Sequence, residues 1–340
     1  MASRRIAVSM LLLAGGACAL ASAADKSGVA LFERPGNEDR PPEAYQVVHG
    51  WPQLPEGFTF GAVSAVGVDS HNHVFVLHRG PQYPIMMFDG ATGKFLKSLG
   101  EGVLMLRHGL YVDNQDNIWL TDAANASPTG LHQVFKLSHE GKVLMTLGTK
   151  GVAGWDGSHF FHPTDVAVAA NGDIYVADGY GNSRIAKFDA NGKFLFDWGT
   201  KGTGPGQFAS PHGIAVDDQG HVYVADRPNQ RIEVFDSNGK FISILKPPAM
   251  EFPWALRYRD GFLYVANAGD AGRGSGPWPY DTNVLKMDTT GKVVAKFGRF
   301  GKYDGSMMAP HSIAVAPDGA VYVGEVGQGQ RAQKFVPKTN

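Results

Sequence analysis

The sequence predicts an all-β chain, a six-bladed β-propeller whose ring is closed by an N-terminal strand. Three observations predict it. Forty-four glycines and twenty prolines punctuate short Val/Ile/Phe/Tyr-rich runs, and helical periodicity is nearly absent. Gly-Lys followed by two apolar residues recurs at Gly93-Lys94-Phe95-Leu96, Gly141-Lys142-Val143-Leu144, Gly192-Lys193-Phe194-Leu195, Gly239-Lys240-Phe241-Ile242 and Gly291-Lys292-Val293-Val294, at intervals of 47 to 52 residues. A second unit, two apolar strands around a D/N/G turn with an acid or its substitute at the end, recurs six times: 66–78, 110–122, 166–178, 214–226, 256–267 and 313–325.

Each element follows from those repeats. Every Gly of the Gly-Lys step follows Asn, Thr or Glu at a tight hairpin, where a positive φ suits glycine, and the run after Lys forms an outer strand. Six units of about four strands at this period match a propeller. An open solenoid would need capping repeats at both ends. Here the sixth unit stops at Phe335, one strand short, and Tyr45–Gly50 ("YQVVHG") stands ahead of the first as an orphan strand. That strand is expected to complete the last blade and remove the sheet edges, making residues 45–340 one domain.

Residues 1–24 carry Arg4 and Arg5, the apolar run Ile6–Leu20 and then Ala21-Ser22-Ala23, the pattern of a secretory signal with an A-x-A cleavage site. Residues 25–44 follow as an N-terminal extension. The apolar run is shorter than the ~20 residues a membrane span needs and contains Gly15 and Gly16. The expected product is exported, periplasmic or secreted, with no membrane span in the mature chain. Its lone cysteine, Cys18, lies inside the signal, so disulfides and thiolate metal sites are excluded from the mature protein. The roughly 315 remaining residues can bury a large core instead. A formal net charge of −1 leaves no basic stripe to neutralise phosphates, which argues against a nucleic-acid partner.

Aligning the six units on the strand-end acid places Ser64, His108, Thr164, His212, Trp254 and His311 in equivalent positions at the start of the inner strands, with a one-residue gap at Trp254. Histidine therefore falls in blades two, four and six, 120° apart around a six-bladed ring. Three imidazoles around one axis fit a facial metal site, and three neutral histidines with an open fourth position are a catalytic zinc arrangement. The alternative is that these histidines merely hydrogen-bond inside the channel. Their threefold spacing favours the metal. His78 holds the strand-end position of unit one, while His71, His73, His132, His139, His162 and His221 lie in turns or before strands and read as structural or solvated.

Several stretches resemble the NHL-repeat propellers, and among them peptidyl-α-hydroxyglycine α-amidating lyase. They are "VLHRG" (76–80), "RHGLYVD" (107–113), "LHQVFKL" (131–137), "PTDVAV" with "VADGYGNSRI" (163–185), "GPGQFASPHGIAV" with "VADRPNQRI" (204–232) and "APHSIAV" (309–315). The resemblance covers about Tyr45 to Phe335. It implies zinc held by His108, His212 and His311, a catalytic Tyr180, and two arginines near the metal, Arg79 and Arg227. It also implies a structural calcium (Ca2+) on the main-chain carbonyls of Val66 and Leu110, together with an aspartate after the third histidine. Ser312 stands at that aspartate position, which takes away the calcium site's only charged ligand and makes calcium a weaker expectation than zinc (Zn2+).

The residues agree with the first set. Arg79 and Arg227 each come one residue after the strand-end position, and Tyr180 comes two after it, so all three start on one rim. An arginine fork suits a carboxylate, and a tyrosine beside a cation can have its pKa lowered enough to serve as a base. The implied reaction is cleavage of the C–N bond of a peptide or small N-acyl compound ending in α-hydroxyglycine, giving an amide and glyoxylate. Two rivals remain at this stage: a metal-dependent hydrolase similar to lactonase propellers, and an exported NHL binding module without chemistry. Asp270–Tyr280 reads as an insertion in unit five, lid or solvent loop, and Asn125-Ala126-Ser127 fits a glycosylation acceptor.

Overall fold

The computed structural model describes residues 43–123, 129–269 and 282–338, all within one compact unit, Arg40–Asn340. The expected signal at 1–24, most of the extension, the Asn125–Ser127 acceptor and the 270–280 insertion lie outside the described residues. What is described is six four-stranded antiparallel sheets, so the all-β six-bladed propeller is the observed fold. The innermost strands are Val63–Val68, Arg107–Val112, Pro163–Val168, Pro211–Val216, Phe252–Arg259 and Pro310–Val315. Each packs on the next, and the sixth packs on the first.

The Gly-Lys runs are the outermost strands, Phe95–Leu99, Val143–Leu147, Phe194–Trp198, Phe241–Leu245 and Val293–Phe297. The turn glycines before them adopt φ of 78° at Gly93 and 90° at Gly141, values that disfavour any side chain. In the last sheet the outer strand comes from the N-terminal side: Tyr45–Val47 pairs antiparallel with Arg331–Pro337, Tyr45 opposite Pro337 and Val47 opposite Phe335. The Gly-rich stretch at 199–208 is an inter-blade loop with a short parallel pair, Thr200–Lys201 against Gln207–Phe208.

The core lies between blades. Six apolar clusters each join residues of two adjacent sheets, as where Trp119, Val134 and Leu147 of blade two meet Val166, Val176 and Phe188 of blade three. The cluster of Val63, Val74, Val76 and Phe88 with Ala314, Tyr322 and Ala332 joins blade one to blade six. With both faces covered, the inner strands are buried almost throughout, and at about 25 cal/mol per Å2 this inter-blade burial is the main stabilising term.

Two repeated devices shape the channel. The register slips at the start of every inner strand, between Val63 and Ala65, Arg107 and Leu110, Pro163 and Asp165, Pro211 and Gly213, Pro253 and Ala255, and Pro310 and Ser312. A bulge puts an extra residue out of the ladder and re-aims its side chain. The bulged residues are the six aligned in sequence, Ser64, His108, Thr164, His212, Trp254 and His311.

The strand-end acids brace the approach to each bulge. Asp178 accepts Phe161 N–H at 2.9 Å, Asn182 at 2.7 Å and Arg184 Nε at 3.0 Å. Asp226 accepts Ala209 N–H and Arg231 Nε, and Glu325 accepts Met308 N–H and Arg331 Nε. His78 replaces the acid in blade one, with Nδ1 accepting Gly80 N–H at 3.0 Å and Nε2 donating to Tyr83 O at 2.8 Å. Burial pushes the Asp178 carboxyl up against the pull of Asn182 and Arg184.

Removing that carboxylate leaves Nε of Arg184, whose side chain is 0% exposed, without its acceptor, while Nη1 keeps Asp197 at 2.7 Å. Breaking a buried pair on one side costs about 3–5 kcal/mol. Asp178→Ala should therefore lower the unfolding free energy by about 3 kcal/mol, the low end of that range because Asp197 still pairs with Arg184, read as a lower denaturant midpoint at unchanged m value. A loss below about 1 kcal/mol, the level of a surface pair, would contradict the role given to the strand-end acids.

Candidate metal centre

His108, His212 and His311 meet on the channel axis. Their ring centroids are 5.0, 4.9 and 4.9 Å apart, a nearly equilateral triangle, and all three side chains are buried. Nδ1 of each ring donates to the carbonyl of a bulged residue in the following blade: His108 to Thr164 O at 2.7 Å, His212 to Trp254 O at 2.5 Å and His311 to Ser64 O at 2.7 Å. The even blades thus supply imidazoles and the odd blades supply the carbonyls that orient them.

Those three bonds fix the tautomer and turn every Nε2 lone pair toward the axis. Burial pushes the His311 imidazole down to about 3. His108 is held well below the ordinary histidine range by burial and then by His311, and His212 by burial and then by Arg227. All three are neutral imidazoles, the ligand form. Tyr180 OH lies 3.0 Å from His108 Nε2 and 2.9 Å from His212 Nε2. Its single proton can satisfy only one of these acceptors.

Three converging acceptors served by one hydrogen call for a cation. Second-shell carbonyls of this kind accompany most histidine metal ligands, and the set fits zinc with an open fourth position. The cavity at this level measures about 10 Å3, room for about one water-sized body.

The two expected arginines sit on the same rim. Arg227 opens a 3-10 turn, Arg227–Asn229, and its guanidinium lies 4.1 Å over the Trp254 ring and 5.7 Å from the Tyr180 ring. Its Nη1 is buried without a hydrogen-bond partner, a costly arrangement for a charged donor unless it serves a ligand. Arg79 is exposed and donates from Nε to Arg107 O at 3.0 Å. Its charge helps to keep His108 and His311 neutral.

The second expected ion does not fit. Leu110 O, one of the two carbonyls expected to bind calcium, accepts Arg257 Nη2 at 3.0 Å. Arg257 pairs with Asp165 through 2.7 and 3.2 Å bonds and donates to Leu256 O at 2.9 Å. At the other expected position, Val66 N–H donates to Ser312 Oγ at 3.0 Å. A guanidinium already occupies the place and the carboxylate that a divalent ion would need, and like charges at this range repel. The Leu110 carbonyl expected to bind calcium is thus engaged by Arg257.

Sequence reading missed Arg257, Asp165 and the role of Trp254. The signal was present: "PTDVAV" places one charge and "WALRYR" two in otherwise apolar inner strands, and a buried charge needs a partner.

Residues 160–188 and 208–235 match the NHL repeat model, and with six blades they make this an NHL-repeat β-propeller. The chain belongs to the family of the peptidyl-α-hydroxyglycine α-amidating lyases. It is 31% identical to "Probable peptidyl-alpha-hydroxyglycine alpha-amidating lyase pgal-1" of Caenorhabditis elegans, over 78% of this chain and 80% of that one. It is 34% identical to "Peptidyl-glycine alpha-amidating monooxygenase B" of Xenopus laevis over 84% of this chain, but spans only 35% of that longer protein. "NHL repeat-containing protein 3" of Homo sapiens is 31% identical, over 86% of this chain and 84% of that one. Among solved structures, "Streptogramin B lyase structure" superposes with a TM-score of 0.53 at 15% identity, covering 87% of this chain and 100% of the other, a likeness of fold alone.

The depressed histidine sets the sign of a pH effect. An unfolded imidazole titrates near about 6.5, whereas folded His311 stays neutral down to about 3. Between those values the unfolded chain takes up a proton the folded protein refuses. The stability of metal-stripped protein should be full above about pH 6.5 and fall as pH drops toward 3. His311→Asn should flatten that slope in denaturant titrations run across the window, and an unchanged slope would contradict a buried neutral His311.

Proposed function

We propose that the protein is a zinc-dependent lyase that cleaves the C–N bond of a peptidyl- or N-acyl-α-hydroxyglycine to an amide and glyoxylate. The observation that carries the reading is the Tyr180 hydroxyl set 3.0 and 2.9 Å from two of three axial imidazoles, below a guanidinium with an unpaired buried Nη1. Family membership supports the reaction class, since relatives of similar length are named as amidating lyases.

His108, His212 and His311 would hold the zinc, which when bound supplies Lewis acidity to the substrate hydroxyl. Arg227 would take the substrate carboxylate with the donor that has no partner in the protein, and Arg79 at the mouth would add a second positive charge. Tyr180, as the phenolate that a neighbouring cation favours, would take the hydroxyl proton. The electron pair left on oxygen forms the carbonyl of glyoxylate, the C–N bond breaks, and the departing amide nitrogen takes that proton back from Tyr180. Atoms balance with no added water, which distinguishes this lyase from a hydrolase. The carbonyls of Thr164, Trp254 and Ser64 hold the three rings in place throughout.

Zinc-loaded protein given an α-hydroxyglycine peptide should release amide and glyoxylate in equal amounts. Tyr180→Phe should lower kcat by about 10^2–10^4, the usual worth of a positioned acid–base group, and Arg227→Ala should act chiefly on KM. Full turnover by Tyr180→Phe would sink the proton-transfer role. Metal uptake without any turnover would favour the other reading, a ligand-binding channel, in line with the likeness to NHL repeat-containing protein 3.

A further inference from the structure

A second cluster lies at the far end of the inner strands. The strand Val63–Val68 starts beside the channel, where Ser64 O accepts His311 Nδ1, and runs into Asp69. Six strand residues put Asp69 roughly 20 Å from the channel histidines. The Asp69 side chain is 0% exposed. Its Oδ1 accepts the N–H groups of His71 and His73 at 2.9 and 2.7 Å. Its Oδ2 faces two imidazoles, His73 Nδ1 and His139 Nε2, both at 2.8 Å. A third ring, His71, contacts Asp116 Oδ2 at 3.2 Å and lies 6.0 Å from the His73 ring and 6.4 Å from the His139 ring.

The turn explains only part of this. Asp113 and Asp217 hold the equivalent position in blades two and four and cap the same two N–H groups. Their second oxygens go to Trp119 Nε1 in one case and to His221 and Tyr223 OH in the other. At Asp69 the second oxygen instead gathers imidazoles from two blades. His139 comes from the outer turn of blade two, where blades three, four and five carry Ala190, Ser237 and Thr289.

We propose that Asp69, His73 and His139 form a second metal site, for a divalent cation of the zinc class. The three ligand atoms lie within 4.8 Å of one another. Two imidazoles and a carboxylate suit zinc and its first-row neighbours, whereas calcium and magnesium want an all-oxygen set. Binding replaces two N–H···O bonds by coordination. Each ring keeps its proton but carries it on its other nitrogen. The ion would tie blade one to blade two at the face away from the channel.

The test is a Zn2+ titration of untagged, chelator-stripped protein against a chromophoric chelator, with the thermal midpoint read alongside. His212→Ala, which lacks a channel ligand, should still take up one zinc per chain and gain thermal stability from it. Adding His139→Gln, which keeps an N–H for Asp69 and so the fold, should weaken that equivalent at least about tenfold and abolish the thermal gain. His221→Gln, in the matching turn of blade four, should leave both readouts unchanged. The proposal is overturned if His212→Ala binds no zinc, or if His139→Gln in that background titrates like its parent. A zinc equivalent that His139→Gln removes and His212→Ala leaves intact would uphold this site and count against the channel instead.

Discussion

The bulge at the start of each inner strand is the feature on which the rest depends. By taking one residue per blade out of the ladder, it turns three imidazoles to the axis and leaves the carbonyls of Ser64, Thr164 and Trp254 to receive them. Where the bulged residue is histidine, its Nδ1 finds the freed carbonyl of the next blade. Ligands and their supports therefore come from one repeated backbone event, and the strand-end acids keep it in register by gripping the chain just upstream.

This arrangement also sets the electrostatics. Desolvation alone would make three adjacent histidines reject protons, and the nearby Arg79 and Arg227 add to that tendency. A neutral, electron-rich ring of acceptors results beneath a cationic rim, so one channel can attract a metal ion at its floor and a carboxylate at its mouth. Lower in the channel the positive charge is built in covalently. Arg257, paired with Asp165 and bonded to Leu110 O, supplies there what a second ion would otherwise supply.

Much of this was legible in the sequence. The period of the Gly-Lys steps and of the paired apolar strands gave the blade count, because a propeller repeats the same local turn chemistry in every unit. Alignment on the strand-end acid found the bulged positions without any knowledge of the bulge, since equivalent residues take equivalent places. What escaped was whatever a single unit does not contain. Arg257 and Asp165 belong to different blades, 92 residues apart, so their pairing could not be read from either unit alone. His139 likewise looked like a solvated turn residue until the neighbouring blade brought Asp69 to it. The carbonyl partners of the channel histidines, each in the next blade, were hidden for the same reason.

Three inward-facing Nε2 atoms on the propeller axis would hold a zinc ion. Anomalous diffraction above and below the zinc absorption edge, on crystals of protein reconstituted with zinc, tests it most directly. The account predicts a peak on the axis within about 2.0–2.1 Å of Nε2 of His108, His212 and His311, close to the Tyr180 hydroxyl. An axial position without anomalous signal in zinc-saturated crystals, with the three rings still bonded to their carbonyls, would contradict it.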